Sequence, residues 1–415
     1  MAPGLSQIRA RYGIESETVL AMTLSIFLVS FGIGPLILAP LSEMHGRKWV
    51  LHIGNLLSIV FNLGCAFAPS TAVFLIFRLL TGFSGGAPVA CGGAVISDLF
   101  DERERASAMA VYTLGPLVGP VIGPIAGGFI AQTVGVRYVY FVLAGVTAFA
   151  SLIGIPCLRE TYAPILKLRS APRSGDPEKT PPTAEEPYHP TQQQLHYLWI
   201  NFSRPLVLLF SSFICFILSL YMAFMYGDNS IYYLFFTTLN GKTRSGLMYG
   251  GLGVGFLLAT AFGARFSNVM YKRLADKNGG VGEPEMRIPP LFFGSVFVPI
   301  GLFWYGWSAQ AKLHWIMPVI GSGIFGFGMM TTFLPIQLYL VDAFKYAASA
   351  LSAAFLFRSL FGFAFPLFGN QMFAAMGFGG GNSLLGGLAI CLGIPFPVYI
   401  YYRGAALRAR SNLNH

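Results

Sequence analysis

Four charged side chains, Arg78, Asp228, Arg265 and Arg358, lie inside long apolar runs of this 415-residue chain. An arginine within a membrane-crossing helix costs about 3 kcal/mol on insertion scales, so it is expected to face a cavity or an acidic partner. Arg78 is the sharpest candidate for coupling to a proton or a substrate. Its alternative is to snorkel toward the outer interface, since it stands only a turn or two from the start of its run. Arg358 is similar, with the alternative of tying helices together through backbone carbonyls. Asp228 is the one acid in the interior of a long apolar run and could carry a proton. Gly227, Asp228 and Asn229 nevertheless read as a break that would leave it near the outer surface. On the same run Tyr221, Phe224, Tyr232 and Tyr233 form an aromatic stripe, suited to stacking on flat or cationic compounds or simply to helix packing.

Other chemistries find little support. Gly321-Ser322-Gly323-Ile324-Phe325-Gly326 has the glycine spacing of a dinucleotide loop, and Asp342 follows about twenty residues later. It follows no strand and lies in an apolar run, so it reads as helix packing. Gly241-Lys242-Thr243 resembles the end of a phosphate loop, but Phe236 stands where the first glycine is needed. His45, His52, His189, His196, His314 and His415 form no metal set, and His52 is expected to be a satisfied packing residue. Cys65, Cys91, Cys157, Cys215 and Cys391 show neither metal-ligand nor disulfide spacing and are expected to be inert core residues. No cofactor and no metal is expected. The net charge of +10 could suit nucleic acid, but the basic residues fall in short loops between apolar runs rather than in one stripe.

The elements that must position these groups are helices in a bilayer. The chain is 54% hydrophobic and 11% charged, less than half the charged share of about 25% in a soluble domain. Runs of roughly 20 apolar residues can cross a bilayer. Eleven occur, near 18–40, 49–69, 73–97, 106–131, 138–157, 205–238, 245–268, 289–308, 314–340, 347–374 and 382–402. The sixth would make roughly 50 Å of helix against a hydrocarbon core of about 30 Å, so it is expected to be broken. In the fourth, Gly115, Gly119, Gly123 and Gly127 recur four apart, interleaved with Pro116, Pro120 and Pro124. Such a helix is poor in water, but in lipid small residues let backbones approach while neighbours satisfy the freed polar groups. A kinked, tightly packed helix is predicted.

Orientation follows from the basic residues. With residues 159–204 and the C-terminal tail in the cytoplasm, 18 of the 27 Lys and Arg residues face inward and six outward (Arg9, Arg11, Arg137, Lys242, Arg244, Lys312). Residues 159–204, with Lys167, Arg169, Arg173, the stretch from Lys179 to Pro182, and Glu185-Glu186, read as a polar linker. It divides the chain into an N-terminal bundle (1–158) of five spans and a C-terminal bundle and tail (205–415) of six. The sequon at Asn201 falls on the cytoplasmic side, where no glycosylation is expected. Arg9, Arg11, Glu15 and Glu17 precede any apolar run, so no cleavable signal is expected and the first span directs insertion.

Two bundles joined by a charged loop is a transporter plan, and across the whole chain the motifs resemble the major facilitator superfamily, within it the fungal drug:proton antiporters that include polyamine and multidrug exporters. Gly119, Gly123-Pro124, Gly127 and Gly128 match its antiporter motif, with Ala110 where the first glycine is usual. Leu41-Ser42-Glu43-Met44-His45-Gly46-Arg47-Lys48 matches the loop between its second and third helices, with Glu43 for the usual aspartate. Arg78 and Gly82 match its fourth-helix motif, and Asp98 with Arg105 the residues that follow. In the second half Arg204-Pro205, Pro284-Glu285-Met286-Arg287, the run from Leu302 to Trp307, Ser349-Ala350, Arg358-Ser359, Pro366-Leu367-Phe368, Tyr402, Gly404, Arg408 and Ser411 also match.

The resemblance implies an all-α, two-bundle, multi-pass protein of the plasma membrane, monomeric, with protons, a small-molecule substrate and the lipid bilayer as partners. It implies proton-coupled export of a drug, polyamine or secondary metabolite by alternating access, with Glu43, Arg47 and Lys48 as a latch that breaks when the bundles rock. The family has six spans in each half, so a first helix is expected to be missing before Met1. A proton-coupled importer, or a truncated membrane protein that transports nothing, are the other readings.

Overall fold

Inside a bilayer each backbone N–H and C=O must be satisfied without water, and the apolar runs meet that demand as α-helices. The computed structural model describes residues 4–99, 112, 115, 119, 122–123, 125–162, 165–166, 191–239, 245–344 and 347–410. No strand occurs among them. The first bundle contains α1 (Leu5–Tyr12), α2 (Glu17–His45), α3 (Arg47–Phe67), α4 (Thr71–Leu99) and α5 (Val136–Cys157). The second contains α6 (Thr191–Ser211), α7 (Phe213–Leu239), α8 (Ser245–Lys277), α9 (Pro289–Gln310), α10 (Ile316–Ala343), α11 (Ala347–Gly393) and α12 (Pro395–Arg410).

Helix α2 packs on α4, and α3 packs on both α4 and α5; in the second bundle α10 packs between α8 and α9, and α11 on α7 and α9. The bundles meet chiefly where α2 lies against α11. Close approach needs small residues: a Cβ on Gly82 of α4 would overlap the Phe27 carbonyl of α2. The outward faces are apolar, with Trp49, Leu56, Val60 and Phe67 on α3 and Phe149 and Leu152 on α5 all exposed. Lipid solvates such a surface, whereas water would drive it to associate.

Among the described residues eight helices are long and apolar enough to cross a membrane, and a bent pair makes a ninth. Two predicted spans share the continuous stretch Ser349–Arg408, turning at Gly377, whose φ of 71° favours glycine. The predicted span 106–131 lies largely outside the described residues. The break in the sixth run is not where the sequence placed it. Helix α7 runs unbroken through Gly227, Asp228 and Asn229, and the chain instead bends by 99° at Ser212, between α6 and α7. The physical reason is local: the Ser212 hydroxyl accepts from the Cys215 N–H at 3.4 Å and caps α7. Gly-Asp-Asn, a turn signal in water, stays helical where no water competes for its backbone. Helix α6 begins at Thr191, so part of the predicted linker is helical; residues 167–190 lie outside the described residues.

Candidate functional site

Arg47 opens α3 and anchors a polar cluster at the basic end of the first bundle. Its Nη1 donates to Ser42 Oγ at 2.6 Å, its Nε lies 3.5 Å from Asp98 Oδ2, and its Nη2 lies 3.8 Å from Glu43 Oε1. The guanidinium also sits 5.0 Å from the Tyr162 ring centroid. Burial first, and then the Glu43 carboxylate, push the Tyr162 phenol above its ordinary value while Arg47 pulls it down, so the ring stays neutral at physiological pH. Glu160 closes the cluster. It accepts from the backbone N–H of Arg47 at 2.9 Å and of Lys48 at 3.3 Å, and from those of Thr161 and Tyr162, each at 3.2 Å. A carboxylate there satisfies orphan donors and complements the positive end of α3. Gly46 must be glycine twice over, because its φ is 105° and a Cβ would collide with the Glu160 carboxylate. These contacts join α2, α3, α4 and the segment after α5, all in the first bundle.

The second bundle repeats the design at the same end. Arg287, before α9, donates from Nε to Asp342 Oδ2 at 3.0 Å and lies 3.8 Å from the Tyr271 ring centroid, as Arg47 pairs with Asp98 and Tyr162. Glu285 accepts a forked pair from Arg408, Nε at 3.0 Å and Nη2 at 2.8 Å. Forked pairs of this kind are directional as well as strong.

Within the membrane region the two arginines differ. Arg78 of α4 is 7% exposed; its Nε donates to the Thr23 carbonyl at 3.3 Å and its Nη2 to the Leu24 carbonyl at 3.2 Å. It ties α4 to α2, the kind of bond the sequence suggested for Arg358. Arg358 of α11 lies instead over rings, 4.7 Å from the Tyr226 centroid and 4.5 Å from that of Phe355, with Nε buried and without a hydrogen-bond partner. Arg265 is exposed on α8.

Asp228 is wholly buried, with an exposure of 0%, and neither carboxyl oxygen has a hydrogen-bond partner. The expected break at Gly227 is absent, so Asp228 stands within an unbroken helix with its side chain inside the protein. It stands sixteen residues past the bend at Ser212, about 24 Å along α7. Tyr221 and Phe224 lie on the same face of α7 and are packed inside the second bundle. Tyr221 donates to Ser295 Oγ at 3.1 Å, and Phe224 meets Phe365 edge to face at 5.8 Å. The side chains of Tyr232 and Tyr233 lie outside the described residues.

The expected packing face of the glycine-rich helix is not seen. A Cβ on Gly115, Gly119 or Gly123 would meet no atom within 4 Å, while Gly127 and Gly128 are buried. Among the described residues none stands opposite the first three. Pro124 lies outside the described residues. Two smaller expectations also change. His52 Nε2 is buried without a partner rather than satisfied, and Cys157 and Cys391 are exposed while Cys65, Cys91 and Cys215 are buried.

Sequence reasoning missed Glu160 and Tyr226. It saw Asp342 only as a companion of the glycine spacing in α10. Glu160 sits beside Arg159 at the end of an apolar run and carries no local signal for the contact that matters, since Arg47 and Lys48 lie more than a hundred residues away. Asp342, also at a helix end, could have been paired with Arg287 by analogy with Arg47 and Asp98.

The Major Facilitator Superfamily profile matches residues 2–366. The chain is 41% identical over 422 residues to the MFS transporter cpaT of Aspergillus oryzae, spanning 99% of this chain and 84% of that protein. It is 38% identical over 424 residues to the efflux pump vrtL of Penicillium aethiopicum, spanning 99% and 82%. Its fold resembles that of the proton:xylose symporter XylE with a TM-score of 0.65 at 16% identity, covering 96% of this chain and 90% of that one. The partially occluded inward-open form of XylE from E. coli gives 0.67, also at 16%, covering 97% and 92%. The chain therefore belongs to the Major Facilitator Superfamily and is a multi-pass membrane transporter related to fungal efflux pumps.

Proposed function

We propose that this chain is a proton-coupled exporter of a small organic compound, working at the plasma membrane as a monomer by alternating access between its two bundles. The observation that carries the reading is Asp228. Burying an ionised carboxylate with neither donor nor counter-ion costs several kcal/mol, a cost avoided while the group holds a proton. When the helices of the second bundle shift during the cycle and water reaches the Asp228 face of α7, the proton can leave, so protonation is linked to conformation. The paired clusters at Arg47 and Arg287 serve as the latch of that motion, each holding its bundle's helix ends together in one state. Relatives named as efflux pumps support the outward direction.

The test is efflux from cells expressing the gene, loaded with fluorescent organic acids, bases and neutral compounds, with and without a protonophore. Uphill export of one class that stops when the gradient collapses is expected. Uphill export that continues undiminished, or net uptake, would contradict the reading.

A further inference from the structure

We propose that the seam between the bundles recognises a planar organic anion, and that Arg358 is the residue that reads its charge. The inference rests on the exporter reading and deepens it by naming a substrate class.

A ladder of rings and cations crosses from one bundle to the other. The Arg78 guanidinium lies 5.2 Å from the Phe27 centroid, Phe27 stacks on Phe31 at 5.3 Å, and Phe31 reaches Phe355 of the other bundle at 5.4 Å. Arg358 then lies between Phe355 and Tyr226. All four rings and Arg358 are half-buried, unlike the sealed core residues Tyr221 and Phe224. They line a seam rather than fill a core.

The two arginines are not equivalent in what they leave unused. Arg78 spends donors on the carbonyls of α2. Arg358 has an Nε–H that is buried without an acceptor, and its described contacts are ring faces, which offer no lone pair in the plane of its fork. A carboxylate or enolate oxygen in that plane would satisfy the donor, and the planar body attached to it would stack on Phe355, Phe31 or Tyr226. An organic cation would instead meet a like charge. Asp228 does not offset it, since it lies two residues from Tyr226, about 200° around α7 and so on the far side of that helix.

The test uses the purified full chain and equilibrium binding of three probes of one shape: 2-naphthoate, its neutral amide, and 2-naphthylmethylammonium. Naphthoate is expected to bind about tenfold or more tightly than either of the others. Arg358→Gln should abolish that preference while amide binding persists, and Arg358→Lys, which keeps the charge but not the fork, should reduce it by an intermediate factor. A purely structural arginine would lower the melting temperature of both variants and leave the preference among probes unchanged. Equal binding of the three probes, preference for the ammonium, no measurable naphthoate binding, or an undiminished preference in a folded variant would overturn the proposal. No gradient is present in this assay, so its failure leaves proton coupling standing, and loss of coupling leaves the binding preference intact.

Discussion

Arg78 and Arg358 show how far residue type alone can carry an argument. Their sequence context is the same, a guanidinium in an apolar run, and the insertion cost demands a partner for each. Which partner it finds is decided by which helix lies opposite, and that is tertiary information. For Arg78 the opposite helix offers two carbonyls of α2, which a planar fork can reach together and an ammonium cannot. Arg78→Lys should therefore destabilise the protein by about 1–3 kcal/mol, leaving at least one carbonyl short of its donor. Thermal unfolding of the purified variant checks this, and an unchanged melting temperature would contradict it. Glu160 makes the complementary case. Nothing near it in sequence marks it, yet it accepts four backbone N–H groups at the start of α3 and after α5. Glu160→Ala should cost about 1–2 kcal/mol, as loss of a strong helix cap does. The same unfolding measurement tests it.

At the scale of elements, helices were legible because apolar length is a strong signal, whereas breaks and packing faces were not. Gly227-Asp228-Asn229 has turn composition, but with no water to take over its backbone bonds it remains helical. Ser212, an N-cap residue just ahead of an apolar run, was the readable signal for the real bend. Glycine spacing is a weaker signal: four-residue repeats mark a face that can be approached, not one that is. Gly82 is approached, with the Phe27 carbonyl where its Cβ would go, and Gly123 is not. Gly82→Ala should thus cost about 1–3 kcal/mol of overpacking. Gly123→Ala should leave the melting temperature unchanged within error. Comparing the two variants in one preparation tests the assignment, and an equal loss in both would contradict it.

At the scale of the whole molecule the two bundles carry matching arginine–carboxylate–tyrosine clusters at one end, and at the opposite end a hydrogen bond links them. Asn370 Nδ2 of α11 donates to Glu17 Oε2 of α2 at 3.2 Å, and Glu17 is also paired with Arg9 of α1. Asn370→Ala should loosen this end, broadening the distance distribution between spin labels at Glu15 and His314; an unchanged distribution would show that the contact does not hold the bundles together. The two-bundle plan was readable from apolar runs divided by a polar linker, and the orientation from the basic asymmetry, because both follow from the bilayer itself. How Asp228 sits was not, since its burial depends on how the neighbouring helices pack, which the sequence does not order in space. The central claim, that Asp228 carries the coupling proton, is tested most directly in proteoliposomes containing a pH-sensitive dye, supplied with a compound that the chain exports. Wild type is predicted to move protons opposite to the compound. Asp228→Asn should abolish that proton movement while downhill exchange of the compound persists. Proton movement undiminished in Asp228→Asn would contradict the account.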